Sequence, residues 1–273
     1  MVPIALTIAG SDSSGGAGIQ ADLKTFTALG VYGASVLTAL TAQNTQGVQG
    51  VLPVDPPFVA QQIRSVMTDL HVGAAKTGML ATAAVIDAVV KTLAEFLEIP
   101  LVVDPVMVAT SGDVLLEADA IDAVRHVLLP RARVVTPNLP EAARLLDTTV
   151  AKTDSETEEQ GREICHRFGC KAVLMKGGHS SSVDAVDLLI ETEGPTLRLA
   201  TPRIDTRHTH GTGCTLSAAI AAFLATGADL TEAVRRAKAF IQDAIVHGAK
   251  NPIGKGNGPV DHLYAIRRNG PPV

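Results

Sequence analysis

The chain has 273 residues, with 23 Lys and Arg against 28 Asp and Glu, a formal net charge of −5, 3% aromatic residues and no Trp. This balance provides neither a basic field for a polyanion nor many rings on which bases could stack, which argues against a nucleic-acid partner. A chain of about 300 residues can bury roughly 75% of its unfolded surface around one core. Because no linker or charge block divides the sequence, we expect a single domain over residues 1–273.

The sequence also carries no signal for a membrane or an oxidising compartment. No apolar run reaches the roughly 18 residues that a transmembrane helix needs. The apolar start, Met1–Gly10, lacks a basic region and predicts a first strand rather than a signal peptide. The cysteines, Cys165, Cys170 and Cys214, show no C-x-x-C spacing, which argues against a disulfide framework and a zinc site. These features favour the reducing cytoplasm.

Short runs of Val, Ile, Leu and Ala alternate with longer amphipathic segments, and Gly, Pro, Asn or Asp mark the changes. Strands that are apolar on both faces and alternate with helices predict an α/β fold with a mostly parallel sheet between helices. Ligands bind outside the carboxyl ends of the strands in such a sheet. The predicted strands are Ile4–Ala9, Ala34–Leu40, Ala74–Thr77, Leu101–Asp104, Arg133–Thr136, Ala172–Lys176 and Val186–Ile190. The predicted helices are Gly18–Leu29, Pro57–Leu70, Thr82–Phe96, Ala118–Leu129, Leu139–Leu146, Ser155–Phe168, Thr212–Ala225 and Thr231–Gly248.

Two glycine-rich segments are superficially similar to nucleotide-binding loops. Gly10–Gly18 follows the first predicted strand, but its spacing is not G-x-G-x-x-G, and no acidic residue for a ribose stands about 20 residues further on. Gly248–Lys255 has one residue too many for a Walker A loop, and Gly256 stands where Ser or Thr should follow. We reject both interpretations.

Charged residues end two of the predicted strands. Asp104 stands before Pro105, and a carboxylate at the ligand-binding edge can hold the magnesium ion of a nucleotide; a simple Asp-Pro turn is the alternative. Lys176 stands before Gly177, where a lysine can contact a phosphate as a point charge. A solvated lysine before a glycine turn is the alternative there.

Asn138 and Glu141 stand at the start of the predicted helix Leu139–Leu146. Their spacing is that of a capping box, in which each side chain satisfies a free N–H group of the helix start. The functional alternative is that Glu141 holds magnesium through water while Asn138 contacts a phosphate. The spacing alone does not separate the two interpretations.

A glycine turn opens the Ala-rich helix Thr212–Ala225. Glycines let the backbone approach a ligand closely, and the unpaired N–H groups of a helix start bind an anion with help from the helix dipole. The same dipole would lower the pKa of the Cys214 thiol and make it a candidate base or nucleophile, whereas a small buried thiol is the alternative. His208 and His210 lie beside the turn without further ligands at zinc spacing, which disfavours a metal role. The turn consists of Gly211, Thr212, Gly213 and Cys214.

Several of these motifs, taken together and in this order, resemble one enzyme family. The resemblance is to the hydroxymethylpyrimidine/phosphomethylpyrimidine kinases of the ribokinase superfamily, and it runs through most of the chain. It departs from the wider superfamily at Cys214, where sugar kinases usually carry an aspartate base. The motifs are Gly10–Lys24, Asp104–Met107, Asn138–Glu141, Met175–Gly178, His210–Cys214 and Gly254–Pro259.

The resemblance implies a ribokinase-like α/β fold without the large β-lid of the sugar kinases, a homodimer, and ATP with Mg²⁺. It also implies two successive phosphorylations of an aminopyrimidine, first to the monophosphate and then to the diphosphate, in thiamine biosynthesis. The residues that it assigns fall into four groups. These are Gly10, Asp22, Gln43, Met79 and Val106 for the pyrimidine, Asp104 and Glu141 for the metal, Asn138, Thr212 and Lys176 for ATP, and Lys176, Gly211, Gly213 and Cys214 for catalysis.

The chemistry of these side chains agrees with that assignment. An aminopyrimidine edge offers an amine donor beside a ring-nitrogen acceptor, and the carboxamide of Gln43 can pair with both. Met79 and Val106 can enclose the flat ring, since a methionine thioether adapts to irregular apolar surfaces.

Two other functions compete with this one. A pyridoxine or pyridoxal kinase is the first, because that ring also bears a hydroxymethyl arm; Gln43 and the glycine–cysteine turn favour the pyrimidine without excluding dual activity. A non-catalytic pyrimidine sensor or carrier is the second. A sensor needs no groups for magnesium or phosphate, so Asp104, Glu141 and Lys176 argue against it.

Overall fold

Nine strands form one sheet in the computed structural model, which describes residues 2–96, 99–108, 116–117, 119–177 and 183–268. Met1, Ala118 and Gly178, which belong to predicted segments or motifs, lie outside these residues. The strands are β1 Ile4–Asp12, β2 Tyr32–Asn44, β3 Gly47–Pro53, β4 Ala74–Thr77, β5 Leu101–Val103, β6 Val134–Val135, β7 Ala172–Lys176, β8 Asp184–Glu191 and β9 Leu197–Pro202.

The helices alternate with the strands along most of the chain, as the sequence predicted. After α4 the chain continues as a short π-helix over Val124–Leu128 and a 3₁₀-helix over Leu129–Arg131. The helices are α1 Gly18–Ala28, α2 Pro56–Met67, α3 Ala83–Leu93, α4 Ala120–Ala123, α5 Leu139–Leu146, α6 Asp154–Phe168, α7 Thr212–Ala225, α8 Leu230–Lys250 and α9 Tyr264–Arg268.

The sheet has the order β3-β2-β1-β4-β5-β6-β7-β8-β9. Six neighbouring strands pair in parallel, in the order β2, β1, β4, β5, β6 and β7. Strand β3 at one end and strands β8 and β9 at the other pair antiparallel. The predicted, mostly parallel α/β sheet is therefore confirmed. All strands of the described residues share this sheet, so no separate β-lid is present among them.

Strands β3 and β9 and helix α9 were not predicted. The predicted strands are runs that are apolar on both faces, and that pattern holds only where helices cover both sides of a strand. Strand β3 is largely exposed and contains Gly47 and Gly50, and β9 alternates apolar and polar residues. Strands at or next to the end of a sheet carry the weaker pattern of a partly solvated surface.

Two apolar layers cover the sheet. Alternation along β1 sends Leu6 and Ile8 into the layer with α2 to α6, whereas Ala5 packs with Phe26 of α1 and with α7 and α8. Helix α7 is buried on nearly all sides, which matches its Ala-rich sequence and places its first turn at the carboxyl edge of the sheet. No helix among the described residues has the length and apolarity to cross a bilayer.

Candidate active site

A cavity of about 790 Å³ opens at the carboxyl edge of the parallel strands, beside the first turn of α7. It brings together nearly all of the residues that the sequence predicted, because the carboxyl ends of parallel strands meet at one edge. Asp22 alone among them does not line it. The predicted residues that line the cavity are Gly10, Gln43, Met79, Asp104, Val106, Asn138, Glu141, Lys176, Gly211, Thr212, Gly213 and Cys214.

One end of the cavity is apolar and suited to a flat ring. A Cβ on Gly10 would overlap the Met79 methyl group, so glycine is required for the thioether to lie across the end of β1. Thr38 Oγ1 donates to the Met79 carbonyl oxygen at 2.6 Å and fixes the backbone there. Val106 and the Gln43 side chain complete this end, which we call the ring end.

Asp22 lies beneath the cavity and holds a lysine that sequence analysis did not find. Its carboxylate accepts hydrogen bonds from Lys76 Nζ at 2.9 and 2.8 Å and from Thr7 Oγ1 at 2.6 Å, and both charged side chains are fully buried. Burial would lower the pKa of Lys76, but its acidic neighbours, led by Asp22, together outweigh burial and hold that pKa above its ordinary value. Lys76 reaches the cavity as a cation. The available signal was a lysine within the short apolar strand β4, since a buried lysine needs a charged partner.

Asp104 and Lys176 form an ion pair on another part of the cavity wall, which we call the phosphate end. Lys176 Nζ donates to Asp104 Oδ1 at 3.0 Å, Thr136 Oγ1 lies 3.2 Å from the same oxygen, and Ser217 Oγ lies 3.3 Å from Oδ2. Burial opposes ionisation of Asp104, yet the charges of Lys176 and Lys76 hold its pKa below the ordinary value. Asp104 is therefore a carboxylate, only 2% exposed.

Glu141 faces the same ion pair while it caps α5. Its Oε2 accepts from Asn138 N at 2.8 Å, and Asn138 Oδ1 accepts from Glu141 N at 2.8 Å, so the predicted capping box is present. Oε2 also lies 4.0 Å from Lys176 Nζ. Burial, with the Asp104 charge adding to it, raises the pKa of Glu141 to about 7. The structural and the functional interpretations of this residue are thus compatible.

The glycine turn brings the start of α7 against this cluster. A Cβ on Gly213 would lie 3.3 Å from Lys176 Nζ and 3.6 Å from Asp104 Oδ2. Gly211 has φ +77°, and a Cβ there would overlap the carbonyl oxygen of Gly16 in the loop after β1. The N–H groups of a helix start therefore meet a lysine and a carboxylate, an arrangement that can bind an anion.

Cys214 differs from the expectation based on the helix dipole. Burial raises its pKa to about 11, and the charges of Asp22 and Asp104 act in the same direction. Lys76 and a hydrogen bond from Gly18 N–H lower it only in part. The structure thus gives the opposite direction to the one expected, and Cys214 is a neutral thiol near pH 7.

A second pair that the sequence did not predict joins the last residue of β1 to the residue before the glycine turn. His210 Nε2 lies 2.8 Å from Asp12 Oδ2, which also accepts from Gly16 N at 3.1 Å and Ala17 N at 2.8 Å. Burial opposes ionisation of Asp12, but His210 and the donors of Ser14 outweigh it and hold the pKa of Asp12 far below its ordinary range. Since 198 residues separate the partners, no local pattern marks the pair.

The chemistry of the phosphate end defines a class of protein. Among the described residues no group of three or more His, Cys, Asp or Glu could hold a metal alone, but Mg²⁺ in nucleotide sites usually takes only one or two carboxylates together with phosphates. A paired lysine, two carboxylates and a helix start on a parallel α/β sheet, beside an apolar end for a ring, define a small-molecule phosphotransferase.

Comparison with known proteins specifies that class. The sequence model of the family described as phosphomethylpyrimidine kinase matches residues 12–261. Over 261 residues the chain is 51% identical to the hydroxymethylpyrimidine/phosphomethylpyrimidine kinase of Salmonella typhimurium, covering 96% of this chain and 97% of the relative. Over 265 residues it is 54% identical to the enzyme of the same name from Rhizobium meliloti, covering 97% and 98%. The chain belongs to the phosphomethylpyrimidine kinase family, and the resemblance in its motifs is confirmed.

Solved structures show the same fold. The ADP complex of Bacillus subtilis pyridoxal kinase matches with a TM-score of 0.86 at 40% identity, over 98% of this chain and 100% of that one. The phosphomethylpyrimidine kinase of Clostridium difficile 630 matches with a TM-score of 0.79 at 42% identity, over 90% and 100%. The ribokinase-like fold is therefore shared with kinases named for two different rings.

Proposed function

We propose that this protein is a kinase that transfers the γ-phosphoryl group of MgATP to 4-amino-5-hydroxymethyl-2-methylpyrimidine, and then transfers a second one to the resulting monophosphate, in thiamine biosynthesis. The observation that carries the proposal is the convergence of Lys176, Asp104 and the start of α7 within a few ångströms, in one cavity with Gln43 and Met79. Relatives about half identical to the chain carry the names of both activities.

Phosphoryl transfer depends mostly on positioning and on neutralising charge. Lys176 and the N–H groups of the glycine turn would receive the transferring phosphoryl group. Asp104 and Glu141 fit Mg²⁺, because one is a buried carboxylate and the other titrates near pH 7 beside it. The ion would neutralise the charge of the ATP phosphates there. Met79 and Val106 would hold the ring so that its arm points to the phosphate end.

The remaining part of the cavity supports ATP as the donor. It extends between β8, β9 and α8, where Ile204, Ile241 and Ile245 offer an apolar surface for a purine. Lys238 Nζ donates to Asp187 Oδ2 at 2.6 Å on the wall of this part, and Gly177 N donates to Oδ1 of the same carboxylate at 3.0 Å. These bonds fix the wall next to Lys176.

An assay of ADP release with each ring compound tests the proposal. We expect turnover with the aminopyrimidine alcohol and with its monophosphate. Pyridoxal kinase is the second candidate, since solved structures at 34–40% identity carry that name. Turnover with pyridoxal or pyridoxine but with neither pyrimidine would overturn the proposal in favour of that candidate. Binding of the pyrimidine without any ADP release would indicate a sensor or carrier.

Glu141 makes the magnesium requirement depend on pH. Its carboxyl group, with a pKa of about 7, must lose a proton before it can serve the metal, so protonation below pH 7 competes with Mg²⁺. Between pH 8 and pH 6 we expect the half-saturating Mg²⁺ concentration of the wild type to rise about tenfold more than that of Glu141→Gln. Titration of ATP itself raises the Mg²⁺ requirement equally in both proteins, so comparison with the variant removes that effect. Equal rises in the two proteins would remove Glu141 from the metal role.

Cys214→Ala separates a general base from a packing residue. The first attacker is an alcohol that must lose a proton, whereas a phosphate ester, with a second pKa of about 6, is largely ionised at pH 7. A general base contributes about 10²–10⁴-fold. Because the Cys214 thiol stays protonated, we expect the variant to slow both steps by similar factors, below about tenfold. The measurement is turnover on each substrate at saturating MgATP, and a loss confined to the alcohol would restore the base.

We also propose that the enzyme acts in the cytoplasm as a homodimer, as the family resemblance implies. Exposed apolar side chains on β2 and β3, namely Tyr32, Leu40, Val51 and Leu52, offer a surface for a second copy. A mass measurement in solution tests this, and a monomer at working concentrations would contradict it.

A further inference from the structure

The hydroxyl of Thr41 in β2 has two carbonyl-type oxygens within hydrogen-bond distance. Its Oγ1 lies 2.8 Å from the Ser11 carbonyl oxygen and 3.0 Å from Oε1 of Gln43. A threonine hydroxyl has one proton and can donate only one full hydrogen bond, so one of these two oxygens would face a lone pair. The conflict lies at the ring end of the cavity, which Thr41 and Gln43 both line.

Only one of the two partners can relieve the conflict. The Ser11 carbonyl belongs to the backbone of β1, where residue 11 pairs with Leu40 of β2, and it cannot turn. The terminal amide of Gln43 can turn by 180°, which exchanges its oxygen and nitrogen and moves no other group. The Thr41 proton then goes to Ser11, and Gln43 Nε2 donates to Thr41 Oγ1. The backbone of Gln43 does not move, since Ser13 Oγ bonds both its N–H and its carbonyl oxygen.

We propose that Thr41 is a specificity-determining residue, which holds the Gln43 amide with Oε1 free for the ligand and so selects a ring bearing an N–H donor beside the hydroxymethyl arm. In this arrangement Nε2 is engaged by Thr41, and Oε1 accepts from the substrate. The inference rests on the proposed function and specifies how that site distinguishes its substrate.

The orientation of the Gln43 amide decides which ring can bind, because the competing rings carry different substituents at this position. The substituent next to the hydroxymethyl carbon is an amine in the aminopyrimidine and an aldehyde in pyridoxal. An amine donates to Oε1, whereas an aldehyde oxygen meets another acceptor and leaves both unpaired. Sites that hydrogen-bond a substrate N–H or O–H discriminate by up to about 10⁴–10⁵-fold against analogues without it. Thr41 would therefore favour the pyrimidine over pyridoxal without touching either ring.

The experiment compares two pyrimidines that differ along this edge: the 4-amino compound and its 4-oxo analogue, in which the donor and acceptor positions of the substituent and the neighbouring ring nitrogen are exchanged. We expect the wild type to prefer the 4-amino compound by about 100-fold or more in kcat/KM. Thr41→Val has nearly the same shape and no hydroxyl, so its Gln43 amide can turn towards either ring, and the preference should fall below about tenfold. Thr41→Ser keeps the hydroxyl and should keep the wild-type preference.

The outcomes separate this inference from the function on which it rests. A wild type that phosphorylates neither pyrimidine contradicts the proposed function. A wild type that is active on the amine, together with an unchanged preference in Thr41→Val, overturns the role of Thr41 alone. Thermal unfolding of each variant shows whether it is folded.

Variants of Gln43 test the same point should Thr41→Val not fold. Gln43→Leu removes the amide and should weaken binding of the 4-amino compound by about 10- to 100-fold, with ATP affinity unchanged. Gln43→Glu keeps an acceptor in both positions and has no donor to offer, so it should keep the preference for the amine. A preference lost equally in Gln43→Glu and Gln43→Leu would show that Nε2 is the recognising atom and would overturn the inference.

Discussion

Replacement of Asp104 by Asn is expected to lower turnover of the aminopyrimidine alcohol by about 10²–10³-fold, with the Kd for the pyrimidine changed by less than about threefold. The carboxylate accepts from Lys176 and lies within hydrogen-bond distance of Thr136 and Ser217, and none of these contacts involves Gln43 or Met79. An amide keeps the shape but removes the charge that holds Lys176 and that would hold the proposed metal ion. The phosphoryl group would then be transferred with less of its charge neutralised.

Steady-state kinetics at several Mg²⁺ concentrations and calorimetry with the pyrimidine measure the two quantities separately. Glu141→Gln should raise the Mg²⁺ requirement with a smaller loss of turnover. Asp154→Asn is the matched control, because this exposed carboxylate at the start of α6 pairs with Arg198, as Asp104 pairs with Lys176. The turnover of this control variant should stay at the wild-type value. Loss of pyrimidine affinity in Asp104→Asn, at unchanged Mg²⁺ dependence, would remove Asp104 from the metal role.

Gly211→Ala is expected to lower turnover by about 100-fold or more, because it displaces the N–H groups of the glycine turn, which we propose to bind the transferring phosphoryl group. Two effects act at this position. The residue has φ +77°, where a side chain costs about 1 kcal/mol or more, and the new Cβ would overlap the Gly16 carbonyl oxygen. Because the overlapping oxygen belongs to the backbone and cannot rotate away, the loop after β1 and the turn before α7 must move apart.

Gly227→Ala, at the other end of α7, separates strain from displacement. This glycine has φ +89°, and a Cβ there would meet nothing within 4 Å. We expect both variants to lose roughly 1 kcal/mol of unfolding free energy from the strained backbone, and only Gly211→Ala to lose turnover. Unfolding in denaturant and initial rates provide the comparison. Wild-type turnover in Gly211→Ala would show that the geometry of the turn is not needed for catalysis.

The sequence predicted which residues meet at the edge of the sheet better than it predicted the contacts among them. Asp104, Lys176 and the glycine turn were placed together because each follows a strand or opens a helix at the same edge of a parallel sheet. The Lys76–Asp22 and His210–Asp12 pairs were missed, since their partners are 54 and 198 residues apart and meet only through tertiary packing. The same limit explains why the direction of the Cys214 pKa shift was wrong. The expectation considered only the helix that carries Cys214, whereas burial and two carboxylates from other elements raise the pKa.

The long sequence separation across the glycine turn also bears on how the chain folds. The backbone N–H of His210 donates to Gly258, Asn257 N–H donates to the Thr45 carbonyl oxygen, and the His210 ring reaches back to Asp12. Loops of this length close late, because their ordering entropy must be recovered by contacts formed elsewhere first. On the ribosome, β1 and its loop emerge early, but the glycine turn can acquire the shape seen here only after residue 258 has been synthesised and released from the exit tunnel. The turn is therefore among the last parts of this chain that can reach their final geometry.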